Sequence, residues 1–311
     1  MKKRDFMDEL NRIRRLAILG YGSVLLNYLA GAIFIYWYIG VIYRHGEKML
    51  TWVILILVWF AGTIHLILGC ILVAEANKKH KIIYKDLLVK RLLEDNFEKL
   101  TYEWKIGFQE NTVQGYQLCE TGNRFSSKDF VKAVWQRTPF EMSDVKITYN
   151  STDNSNKMDF QGRILVFDIP EMHTGSIQIF SHSFLHKTIN PKATQVAIPA
   201  ADNMFTIFAV HPQIAPKFLT PEFMQGLKSL SVRFQSIAVH MYDTKVVVAL
   251  AANESAFDAK RLFSKISPQE ELDKINVEIN DIKDIISTFY NSLSVPEQPN
   301  SIAHVTPDRA L

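Results

Sequence analysis

Two apolar runs, residues 16–43 and 49–74, are separated only by Arg44-His45-Gly46-Glu47-Lys48, and this pattern constrains the chain more than any other. No Asp, Glu, Lys or Arg occurs in residues 16–39 or 50–74. A hydrocarbon core of roughly 30 Å takes about 20 apolar residues of helix, and a charge at its centre costs several kcal/mol, so both runs suit spanning helices. A secretory signal peptide is the competing reading of the first run. It fits poorly: the run exceeds the usual apolar stretch, no small-x-small site closes it, and a second run follows.

Lys2, Lys3, Arg4, Arg12, Arg14 and Arg15 precede the first run, and Lys78, Lys79, Lys81, Lys85, Lys90 and Arg91 follow the second. The connecting loop has only Arg44 and Lys48, with Glu47 beside them. Basic residues stay on the cytoplasmic side, so the basic segment 1–15, both termini and the remaining two-thirds of the chain are expected there. Tyr36, Trp37, Tyr38, Tyr43 and Trp52 would form the aromatic belt at the outer interface. Lys78, Lys79, Lys81 and Lys85 are expected to face anionic lipid headgroups.

Two polar residues lie inside the hairpin. Asn27 and His65 fall at a common depth, and a hydrogen bond between them is the expectation. A proton or ion path is the functional alternative, although transport pathways normally need more helices and more such groups. Gly31, Gly62 and Gly69 permit close packing or homo-oligomer formation.

The formal charge of +3 and the near-zero mean hydropathy hide an apolar, basic first part and an ordinary globular remainder. No basic face marks the soluble part, so no nucleic-acid partner is expected. Cys70 lies in the second run and Cys119 beyond it, which rules out a disulfide between them in the proposed topology and leaves no zinc motif. The sequons at Asn150 and Asn253 would be silent in a cytosolic domain.

Residues 75–106 read as an amphipathic juxtamembrane helix, with Ile83, Leu87, Leu88, Leu92, Leu93, Phe97, Leu100 and Trp104 as its stripe. Residues 107–293 then form the soluble domain. Residues 145–149 and 160–167 read as paired strands around a polar connection, and 176–180, 194–198 and 204–210 as further strands. Thr220 caps and Pro221 opens a helix carrying Phe223, Met224, Leu227 and Leu230. A tight hairpin is expected at 237–242 and 245–250 around Asp243-Thr244. Pro268 opens a last helix whose apolar side is Leu272, Ile275, Val277, Ile279, Ile282, Ile285, Ile286, Phe289 and Leu293. The tail, 294–311, is expected to be disordered. The expected fold class is a transmembrane helical hairpin (about 16–39 and 50–74) anchoring a cytosolic α+β domain: an antiparallel sheet with flanking helices.

These segments resemble the bacterial family known as domain of unknown function 3137. Residues 84–102 resemble its juxtamembrane helix, and Arg124-Phe125-Ser126-Ser127-Lys128-Asp129-Phe130 its Tyr-Ser-x-x-Asp-Tyr element. Phe160-Gln161-Gly162-Arg163-Ile164-Leu165-Val166-Phe167-Asp168 is similar to its Phe-Lys-Gly-x-x-Phe strand. Phe205-Thr206-Ile207-Phe208-Ala209-Val210, through Phe218-Leu219-Thr220-Pro221-Glu222-Phe223-Met224, resembles its Phe-x-Val-Tyr strand and Leu-Thr-Pro-x-x-Met helix start. Where the family has an acidic Asp-Gln-x-Glu-Ala-Arg stretch, this chain reads His211-Pro212-Gln213-Ile214-Ala215-Pro216-Lys217. The resemblance spans nearly the whole chain. It implies a bacterial cytoplasmic membrane location, no assigned reaction, and a LemA-type membrane-anchored helical protein as a partner.

Chemistry-bearing patterns are sparse. His182 and His186 have i, i+4 spacing, but no Glu follows His182 as in a zinc protease, so a metal site there is a weak candidate. Asp168, Glu171 and His173 cluster near a strand end, where solvated turn residues are the simpler explanation. No Gly-x-Ser-x-Gly elbow and no Gly-Lys-Ser/Thr loop occurs, Cys119 lies in no nucleophile motif, and no cofactor is expected. The favoured reading is a membrane-tethered interaction or scaffolding module that binds a protein partner or lipid headgroups. The alternative is a membrane-surface enzyme, hydrolase-like, using Asp168, His173, His182 and His186.

Overall fold

The computed structural model describes residues 3–45, 49–120, 122–150, 156–169, 175–184, 187–201, 203–255, 257–259 and 268–293. Its elements are helices α1 (Lys3–His45) and α2 (Met49–Ile82), a π-helical turn (Ile83–Val89), α3 (Lys90–Asn96), strand β1 (Glu98–Glu103) and helix α4 (Glu110–Gly115). Strands β2 (Arg124–Trp135), β3 (Thr138–Asn150), β4 (Asn156–Asp168), β5 (Ser176–Ser181), β6 (Thr194–Val196) and β7 (Phe205–Ala209) follow. Helices α5 (Ala215–Phe218) and α6 (Pro221–Arg233), strands β8 (Ser236–Tyr242) and β9 (Lys245–Ala251), and helix α7 (Pro268–Leu293) complete the chain. It divides into two compact units, Met1–Asn96 with Ala256–Ile279, and Phe97–Ser255 with Asn280–Leu311. The expected disordered tail lies outside the described residues.

In the first unit α1 and α2 run antiparallel, held close where Gly20 of one faces Gly69 of the other. A side chain on Gly20 would meet Val73 Cγ2 at 2.8 Å, and one on Gly69 would meet Val24 Cγ2 at 2.8 Å. Ile13 and Ala76 continue the same seam and are buried. Both helices are long and apolar enough to cross a membrane, and almost none of either apolar window is buried within the protein. Leu25, Leu26, Ile33, Ile56, Leu57 and Trp59 are all exposed, a far larger apolar surface than a soluble domain presents to water.

The juxtamembrane segment departs from the expected single helix. α2 passes into the π turn at Ile83, α3 ends at Asn96, and residues 98–103 are a strand. The wider π turn brings the consecutive residues Tyr84 and Lys85 inward together with Val89 and Leu93, and leaves Leu87 of the expected stripe 41% exposed. Distant polar partners select this register. Tyr84 Oη donates to Glu271 Oε2 at 2.9 Å, and Lys85 Nζ lies 3.4 Å from Asp258 Oδ1. The first turns of α7 pack by Glu271, Ile275 and Ile279, while Val277, expected on the apolar side, is 58% exposed.

The second unit is built on one nine-stranded antiparallel sheet, in the order β1-β2-β3-β4-β9-β8-β5-β7-β6. Alternation along β4 and β9 gives each face its own core. Phe160, Ile164, Val166, Val247 and Ala249 pack on one face with Phe108, Val113, Tyr116 and Leu118 from the segment around α4. On the other, the Phe167 ring lies 5.7 Å from Phe289 of α7, which lies 5.2 Å from Phe223 of α6. Helix α6 begins as expected: Thr220 Oγ1 accepts the Phe223 N–H at 3.2 Å and Pro221 is its first residue. The paired strands at 145–149 and 160–167, the strands at 176–180, 194–198 and 204–210, the Asp243-Thr244 hairpin and the helix opened by Pro268 also match their expected places.

Candidate functional site

Asn27 and His65 both line a cleft of about 900 Å³ between α1 and α2, beside Gly31, Gly62 and Thr63. The expected bond between them is not made. The Asn27 side-chain amide instead donates to the Gly62 carbonyl, and Ser23 Oγ lies 3.4 Å from the backbone oxygen of His65. A residue without a side chain at position 62 lets the short Asn27 amide reach backbone before it can reach an imidazole.

Beyond the glycine seam, the helices carry a set of cations. The Arg12 side chain is 77% exposed and that of Lys79 49%; Arg15, Lys78 and Lys81 are exposed as well. Burial lowers the His80 pKa, and the charge of Arg14 lowers it further. Lys85 corrects the expected headgroup-facing group: it is 1% exposed and ion-paired with Asp258, because the π turn rotates it into the protein.

The sheet unit holds a buried charged cluster that the sequence reading did not select. Asp144 and Arg163 are cross-strand partners on β3 and β4, with Arg163 Nε 3.9 Å from Asp144 Oδ1. Ser255 Oγ donates to Asp144 Oδ2. Asp129 sits at a bulge in β2 with φ +58° and accepts from Tyr102 Oη at 2.8 Å. Burial pushes the Asp144 carboxyl up to about 6, the Ser255 hydroxyl opposes this, Asp129 adds to it, and Arg163 and Lys128 pull it back down.

A second polar network crosses β5 and β8. Ser176 Oγ is 2.9 Å from His240 Nε2, and His240 Nδ1 is 2.8 Å from the Tyr116 carbonyl. That carbonyl can only accept, so Nδ1 carries the proton and Nε2 accepts from the Ser176 hydroxyl. Burial lowers the His240 pKa, against the Tyr116 carbonyl, which raises it. Gln178 extends the network by donating to the Thr188 carbonyl at 3.0 Å and accepting from Asn190 N at 2.8 Å. Serine and neutral imidazole stand in the relation of nucleophile and base, but they are only 9% and 3% exposed. Their bonds tie the strands to the segment after α4, a structural role. His240 and Gln178, polar residues within apolar strands, were the available signal.

Of the residues proposed for hydrolytic chemistry, Asp168 and His182 are among those described. Asp168 is in a surface ion pair with Lys245 at 3.1 Å, and His182 is exposed in the turn after β5. Glu171, His173 and His186 lie outside the described residues. Among the described residues no group of three or more His, Cys, Asp or Glu could hold a metal. The family-like motif residues are structural: Phe205, Leu219 and Met224 are buried, Phe218 ends α5, and Thr220 and Pro221 start α6.

The model of the family described as "Protein of unknown function (DUF3137)" matches residues 158–290, less than half of the chain. The elements quoted at 160–168 and 205–224 fall inside this range, whereas those at 84–102 and 124–130 fall outside it, so the match is narrower than the whole-chain resemblance. No curated protein matches. Among solved structures, the crystal structure of the mycobacterial trehalose monomycolate transport factor A, TtfA, is similar at 8% identity and a TM-score of 0.33, over 61% of this chain and 88% of that one. Similarity at that level supports no argument about fold or role.

Proposed function

We propose that this chain is a membrane-tethered module: the α1–α2 hairpin spans the cytoplasmic membrane of a bacterium, and the nine-stranded domain works on its inner face as a docking or scaffolding surface. The observation that carries this reading is the helix pair itself, whose apolar side chains point outward over both windows while the sheet unit encloses its own. Lipid is the surrounding that makes such a surface favourable. The basic segments on one side of the runs supply the orientation. The domain's partner is a protein or the lipid headgroups; a LemA-type protein is proposed from family resemblance alone, and homo-oligomer formation through the hairpin is proposed with it. The enzymatic alternative has less support, since Asp168 is engaged with Lys245 and His182 is exposed.

The test is affinity purification of the full chain from detergent-solubilised membranes, with a variant lacking residues 107–293 as the control. The reading expects a partner recovered reproducibly with the full chain and lost with the control. Recovery of no protein and no selected lipid contradicts it.

A further inference from the structure

We propose that the exposed cations of α1 and α2 form a collar that binds the phosphates of anionic phospholipids. The proposal rests on the reading of the hairpin as a membrane anchor and adds the class of lipid it selects. Arg12 and Lys78 each lie four residues outside their apolar runs, about 6 Å along a helix at 1.5 Å per residue, which is headgroup depth. The two helices are packed antiparallel through Gly20 and Gly69, and Arg12 lies eight residues before the one and Lys78 nine after the other, which brings both to nearly one level. Cations from both helices therefore meet one plane of phosphates.

The collar contains the exposed Arg12, Arg15, Lys78, Lys79 and Lys81 against Asp8, Glu9 and Glu75. Glu9 lies 3.9 Å from Arg12 and Glu75 3.6 Å from Lys79, both within one helical turn and exposed. Such pairs hold a cation weakly and yield to a phosphate nearby. An acidic protein segment or a nucleic acid offers the same kind of charge. Lipid is favoured because the cations directly adjoin the apolar windows, where headgroups lie within a Debye length of about 8 Å.

The full chain is first tested by alkaline carbonate extraction of membranes, then reconstituted in nanodiscs of equal phosphatidylglycerol and phosphatidylcholine. After release into mild detergent, retained lipids are counted by native mass spectrometry. The wild type should retain phosphatidylglycerol over phosphatidylcholine by about fivefold or more, the factor one juxtamembrane cation supplies. The variant R12Q/R15Q/K78Q/K79Q/K81Q, altered only at exposed positions, should bring the ratio close to one; K105Q/K217Q, on the sheet unit, should leave it unchanged. Equal retention by the wild type, or an undiminished ratio in the collar variant, overturns the proposal and leaves the anchor reading standing. A chain that carbonate extracts overturns both.

Discussion

Asp144 and Arg163 face each other across the β3–β4 ladder, Nε to Oδ1 at 3.9 Å, in a sheet that excludes water from both. A pair so buried is weak as a source of stability, because desolvation of both charges offsets most of their attraction. Its value is positional: the Asp144 carboxylate also receives Ser255 and so holds the chain leaving β9 against β3.

The raised Asp144 pKa gives stability a definite pH dependence. The carboxyl titrates near 3.8 unfolded and at about 6 folded. The folded state thus favours the protonated form; this contribution is fully present below about pH 4 and is lost as pH rises through 6. Its size is on the order of 3 kcal/mol. Thermal unfolding of the full chain in detergent should show wild-type stability declining between pH 4 and 7 relative to D144N. Parallel profiles would show that Asp144 does not titrate in this way.

At Gly162 the β9 backbone lies too close to β4 to leave room for a side chain. Any Cβ there would collide with the Leu250 carbonyl oxygen and come within 2.9 Å of Ala251 Cα. Neither atom belongs to a flexible side chain, so G162A should force the β4–β9 pairing apart and lower stability by about 3 kcal/mol or more. An alanine variant that melts with the wild type would remove this explanation of the glycine in the Phe-Gln-Gly-Arg strand.

Phe289 is fully buried between the rings of Phe167 and Phe223. It joins α7 and α6 to the sheet, so F289A should cost about 3–5 kcal/mol, while F289L should retain most of that. Chemical denaturation of the two variants side by side provides the measurement; equal losses would mean that ring volume at this position is not what is being used.

Cys119 should be chemically silent in the folded protein. Burial pushes its thiol up to about 12, and it packs with Leu118 and Val113 in the sheet core. In a C70S background, a charged disulfide reagent at pH 8 should react only on unfolding. Rapid stoichiometric reaction of the native chain would contradict the packing around α4.

Much of this fold is legible in the residues because local signals agree with it. The apolar runs, the Thr220-Pro221 cap and the Asp243-Thr244 turn each fix their element without outside help. β2 escapes detection for two physical reasons. Its alternation breaks at the Asp129 bulge, and the turn into β3 uses Gln136 and Arg137 at φ of 46° and 68° where Asn or Gly is the usual signal. The juxtamembrane register fails differently: helical periodicity near Tyr84 cannot report partners as far away as Asp258 and Glu271. The same distance hides the Asp144, Arg163 and Ser255 cluster, which is adjacent only once the sheet and the segment after β9 are formed.

In the proposed topology the hairpin crosses a membrane and leaves the sheet unit on the cytoplasmic face. Its most direct test is a pair of dual-reporter fusions, one at Gly46 and one after Leu311, using alkaline phosphatase for the outside and a fluorescent protein for the inside. Phosphatase activity only at Gly46 and fluorescence only at Leu311 are expected. Phosphatase activity at Leu311, or fluorescence at Gly46, would contradict it.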